Sequence, residues 1–196
     1  MGTRGITMVI LGGEPVVAQY GQWDHYPSGQ GITCLEFLQK GILDKLKEKL
    51  KVCRFSTPED EKGVDEFLKS IGCENGYMNG EQANLYYEKY PYFTRDHGSD
   101  ILNVIAESQD ETILLRDNRD FVHDSLFCEY GYVIDLDKNT FEVYRGLNTK
   151  PMKKTDRFYK RRSKGSEFTS IYLMKSYDLN NLPTAEEFLA DLEPKE

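Results

Sequence analysis

The run "GITMVILGGEPVVAQYGQW" constrains this chain more than any other: two apolar, β-branched stretches separated by Gly12-Gly13. Adjacent glycines accept positive φ without steric cost, and a two-residue turn of that kind joins antiparallel strands. The sequence therefore predicts a β-hairpin of residues 5–11 and 15–23. Antiparallel pairing also sets the outer ends side by side, so residues 2–5 are expected against 19–23.

Helical signals follow. Ile32, Leu35, Leu38, Ile42, Leu46 and Leu50 recur every three or four residues, with Gly41 placed to kink or divide the helix. Residues 57–71 begin with a capping Thr57 and Pro58 and stop at Gly72. Short helices are expected at 80–90 and 99–107. Strand-like runs then cover 111–116, 127–136, 140–145 and 167–176, with 137–139 as a hairpin turn. Thr184 and Glu187 form a capping box for a terminal helix. This order predicts an α+β fold with a mainly antiparallel sheet, opened by the hairpin, carrying a helical insert and closed by a helix. No repeat or linker divides residues 1–196, so a single α+β domain is expected.

Composition narrows the function classes. The chain has 196 residues and a net charge of −8, which disfavours wholesale coating of nucleic acid or membrane. No apolar run reaches the roughly 20 residues a membrane helix needs, and no secretory leader is evident, so a cytoplasmic protein without membrane partners is expected. Cys34, Cys53, Cys73 and Cys128 are scattered without a C-x-x-C pair, as expected of reduced thiols. No metal-ligand spacing appears, and no cofactor is called for. One segment stands apart. Residues 148–166, "NTKPMKKTDRFYKRRSKGS", carry +7, so the remainder carries −15. A basic, exposed excursion between two strands is predicted there.

The stretch "QYGQWDHYPSGQG" is the first candidate site. If the hairpin forms, Thr3 and Arg4 lie near Gln19, Tyr20, Gln22, Trp23 and Asp24, and Tyr20, Trp23 and Tyr26 are placed to stack on a ring. Gly29, Gln30 and Gly31 then lead into a helix whose free N–H groups favour an anion. Arg4 supplies a fork for phosphate or carboxylate, and the aromatic rings offer stacking faces. Asp24 is the candidate general base. The bland reading is an Arg4–Asp24 pair and a structural aromatic corner.

Three further constellations stand beside it. Thr3 suits an N-terminal nucleophile hydrolase, in which a freed first residue attacks with its own amine as base. That hydrolase-like chemistry requires release of Thr3 from Met1 and Gly2. Asp117, Asp120, His123 and Asp124 offer acid–base or metal chemistry, with solvated turns as the alternative. Lys153, Lys154, Arg157, Lys160, Arg161 and Arg162, interleaved with Phe158 and Tyr159, suit a host protein or single-stranded nucleic acid. A solvated loop lying against the acidic body explains them equally.

The opening "MGTRG" and the loop "WDHYPSGQG" resemble an uncharacterised family found in bacterial, phage or prophage, and fungal genomes. Its members share an M-G-T-R-G start and a W-D-x-Y-P-x-G-x-G loop, and "YGYVIDLDKNTFEVYRG" resembles its strand–turn–strand. The resemblance implies that Gly2–Gly5 and Trp23–Gly31 form one feature, and it implies no activity. Two expectations follow. The first is a small anionic or nucleotide-like ligand, bound or turned over between the N-terminus and the tryptophan loop. The alternative is a phage-type accessory protein acting through residues 150–164.

Overall fold

The computed structural model describes residues 2–73, 77–160 and 167–192. The predicted hairpin is its first feature: β1 (Gly5–Leu11) pairs antiparallel with β2 (Glu14–Gly21). Gly12 and Gly13 have φ of +65° and +80°, the conformation that only glycine adopts cheaply at both turn positions. Their N–H groups donate to the Asp137 carboxylate at 2.9 and 2.8 Å. The tip is thus tied to a turn more than 120 residues away in sequence.

β5 (Tyr130–Asp135) lies parallel to β1 and begins the second half of the sheet. β6 (Thr140–Arg145) and β7 (Tyr172–Asp178) continue it antiparallel. The order is β2-β1-β5-β6-β7, a mixed sheet in which only the β1–β5 pairing is parallel. That pairing exists because the helical insert carries the chain over one face. The insert comprises α1 (Ile32–Gln39), α2 (Leu43–Leu50), α3 (Pro58–Ser70), α4 (Gly80–Lys89) and α5 (Ile101–Glu107). Gly41, at φ +70°, divides α1 from α2. β3 (Cys53–Phe55) and β4 (Ile113–Leu115) pair parallel within it as a second small sheet. α6 (Ala185–Leu192) closes the chain, with Thr184 and Glu187 forming the expected capping box.

Period-two alternation sorts the sheet's side chains onto two faces. Val9, Tyr132, Ile134, Phe141 and Val143 join the helical core with Leu35, Phe37 and Phe188. Ile6, Met8, Ile10, Val133 and Tyr144 face the other way and pack with Val122, Phe158 and Ile171. The second face is covered by a short 3-10 segment, Arg119–His123, and by the chain around Phe158. β5 is buried on both sides, which explains its nearly unbroken apolar run.

Two predicted strand starts shift by three residues or more. The strand expected at 167–176 begins at Tyr172, because Thr169 N and Ile171 N donate to Asn148 O and Val122 O instead of to β6. The strand expected at 127–136 begins at Tyr130, because Phe127 N and Cys128 N close a turn on Asp124 O.

Candidate functional site

The outer end of the hairpin holds most of the residues that the sequence singles out. Gly5 and Gly21 are cross-strand partners, and the His25 ring lies against both. A methyl group on either glycine would overlap the imidazole. His25 N donates to Thr3 O at 3.2 Å, and Tyr132 donates from its hydroxyl to His25 O at 2.7 Å. The Trp23 carbonyl, an acceptor only, lies 3.2 Å from His25 Nδ1, so that nitrogen carries the ring hydrogen and Nε2 is bare. Burial lowers the His25 pKa to about 4, and the ring is neutral at pH 7. Gly2 packs on the Trp23 ring with no room for a side chain. The N-terminal residues and the tryptophan loop therefore meet in one joint.

The joint is filled by the protein itself. Gly29 N and Gly31 N donate to Tyr26 O, and Gln30 N donates to Asp24 O. The three N–H groups expected to cradle an anion are thus already engaged. The Gln30 side chain accepts from Ser99 N at 2.6 Å, and Ser99 meets Thr7 through its hydroxyl at 2.8 Å. Arg4 does not pair with Asp24; its guanidinium lies 5.0 Å from the Phe127 ring. Tyr20 packs edge-on against Phe121 and donates to Gln22 Oε1 at 2.6 Å. Tyr20 faces the same side of the sheet as its partner Ile6, whereas His25 fills the helical side. The expected ligand residues are split between two faces. Trp23 and Tyr26 remain about half exposed, and Asp24 is exposed with φ +61°. Thr3 is buried, and neither its hydroxyl nor His25 Nε2 has a partner among the described residues.

A cleft of about 560 Å³ opens elsewhere, on the second face of the sheet. Met8, Ile10, Val122 and Phe158 form its apolar floor. The walls bring together the hairpin tip, the 3-10 segment and the chain at 157–159. Asp117, Asp120 and His123 of the sequence motif line it, while Asp124 does not. His123 Nδ1 meets the hydroxyl of Ser170 at 2.7 Å, and Ser170 is buried. Burial lowers the His123 pKa, and the nearby Lys160 charge lowers it further. Arg119 donates to both Asp117 oxygens, at 2.8 and 2.6 Å, and lies over the Phe55 ring. Those hydrogen bonds hold the Asp117 carboxyl below its usual range.

Arg157 forms the far wall. Its Nε and Nη2 donate to the two Glu142 oxygens at 2.8 Å each, and Nη2 also donates to Asp135. The Tyr144 hydroxyl donates to Glu142 at 2.6 Å. Burial pushes both carboxyls up, but the Arg157 hydrogen bonds prevail and leave each below its ordinary value. The next residue, Phe158, packs edge-on against Tyr144. The basic segment is therefore clasped to the sheet at its middle, and Arg157 does not project into solvent as expected. A second cleft of about 360 Å³ lies across Arg157 and Phe158, with Met152, Ile171 and Leu173 in its walls. Lys150, Lys153, Lys154 and Lys160 are exposed and form no ion pair among the described residues. Arg161 and Arg162 lie outside the described residues.

Sequence reasoning missed Ser170 and the clasp. One signal for the clasp was present: Asp135 and Glu142 occupy core-face positions in strands whose neighbours on that face are Val133 and Tyr144. A carboxylate in such a register demands a cation. Comparison with family models, curated proteins and solved structures yielded no match.

Proposed function

We propose that this protein binds a small molecule in the cleft between the hairpin tip, the 3-10 segment and the chain at 157–159. A single observation carries the reading. The cleft combines an apolar floor with a histidine that a buried hydroxyl holds in place. Its volume lies in the range typical of ligand sites, and a few oriented polar groups over an apolar base are what such sites need. The N-terminal corner is the weaker location, since its N–H groups and its glycine-lined space are already used by the protein.

Amide NMR of the full chain against a fragment library tests the proposal. Binding fragments are expected to shift the amides of Met8, Ile10, Val122 and His123. Hits that shift Trp23, Tyr26 and Gly29 instead would return the ligand site to the corner. A library without hits at the cleft removes the proposal.

A second reading draws on a separate observation: four lysines of the basic segment are exposed and without ion pairs among the described residues. They suit an acidic macromolecule, a host protein or nucleic acid. Arg157 takes no part in that surface, because Asp135 and Glu142 hold it inward.

A further inference from the structure

We propose that the occupant of the cleft is a cation, a primary amine or ammonium joined to an apolar body. This inference rests on the small-molecule reading above and names the chemistry of the ligand. The polar groups around the cleft divide into those already engaged and those not. Arg119 is spent on Asp117 through two hydrogen bonds, and its flat face is taken by Phe55. Arg157 is spent on Glu142 and Asp135. Each guanidinium charge is thus matched by carboxylates, which weakens its pull on an incoming anion.

The carboxylates of Glu14 and Asp120 line the same cleft and make no hydrogen bond or ion pair among the described residues. Both line the cleft together with Arg119. Paired arginines thus leave two open negative groups over the apolar floor. His123 adds a ring whose Nδ1 is held by Ser170 and whose Nε2 is the remaining polar atom. Lys160 acts on His123 but does not line the cleft. An ammonium head at Glu14 and Asp120, with its hydrocarbon part on Met8, Ile10 and Phe158, satisfies both halves of the site.

Three probes of equal size separate the possibilities: 2-phenylethylamine, phenylacetate and 2-phenylethanol. Each is titrated at low salt into the full chain, with the cleft amides as readout. The amine is expected to bind at least about tenfold tighter than the carboxylate, a difference on the order of 1.4 kcal/mol. The preference should vanish in a Glu14→Gln, Asp120→Asn variant, whose exposed substitutions leave the amide spectrum folded. Equal or tighter binding of phenylacetate overturns the inference, as does an amine preference that survives the double substitution. Fragments that bind the cleft regardless of charge leave the small-molecule reading standing and this one lost. Silence at the cleft from every probe and fragment removes both.

Discussion

Glu142 and Arg157 meet in two hydrogen bonds of 2.8 Å on a face of the sheet that also carries Ile6, Met8, Ile10, Val133 and Tyr144. Glu142 reaches that face because it alternates with Phe141 and Val143 along β6, and Arg157 because Phe158 anchors the chain beside it. The pair, with Asp135, makes the described part of the basic segment, residues 148–160, a strap held to the sheet rather than a free loop.

Removing the cation while leaving its carboxylates exposes the strength of this clasp. Arg157→Met removes the cation shared by Asp135 and Glu142, leaving Glu142 only hydroxyl partners and Asp135 only Lys138 and backbone N–H groups, and is expected to cost up to about 3–5 kcal/mol. Adding Asp135→Asn and Glu142→Gln should recover most of the loss. Urea unfolding of the single and triple variants measures both. Equal stabilities for the two variants contradict the clasp.

His25 makes stability depend on pH in a definite window. Its folded pKa, about 4, lies below the ordinary value near 6.5. As pH falls from 6.5 to 4, the unfolded chain takes up a proton that the folded chain refuses. The contribution is complete above pH 6.5 and is lost toward pH 4, amounting to about 3 kcal/mol. His25→Gln should flatten that slope. Urea midpoints across the window, with an NMR titration of the His25 ring, give the check.

The glycine pair under His25 admits a double-mutant cycle. Gly21→Ala forces a methyl into the imidazole and should cost about 1–3 kcal/mol. In a His25→Ala background the same substitution should cost far less, because the overlap is gone. Additive effects, read by thermal unfolding, would show that ring and glycine are not in contact.

For the strap as a docking surface, the exposed lysines give the handle. Lys153→Glu with Lys154→Glu should abolish capture of an acidic partner, and wild-type capture should weaken steeply between low and physiological salt. Arg157→Lys should matter to stability more than to capture. Salt-independent capture, or capture untouched by the double reversal, rules this surface out.

How much of this was legible beforehand depends on the range of the interaction. The hairpin, the division at Gly41 and the capping box at Thr184 are written in neighbouring residues, and periodicity or turn chemistry reveals them. The meeting of residues 2–5 with Trp23 follows from hairpin pairing and was visible too, whereas the His25 ring seated on Gly5 and Gly21 was not. The cleft was not. It is assembled from the hairpin tip, residues 117–123 and residues 157–159, whose proximity depends on β1 lying parallel to β5. No local pattern specifies that crossover. Alternation also decided what residue type could not: Tyr20 and His25 are close in sequence but serve opposite faces of the sheet.

The parallel pairing of β1 with β5 has a consequence for synthesis. Glu129 binds Arg4 across 125 residues, so the first strand is made long before its partner exists. At about 5–20 residues per second, the ribosome needs roughly 6–25 s to supply it. During that interval the hairpin can close while the inner edge of β1 stays bare, open to any passing strand. A chaperone that shields extended edges on nascent chains would find its substrate in the first twenty residues.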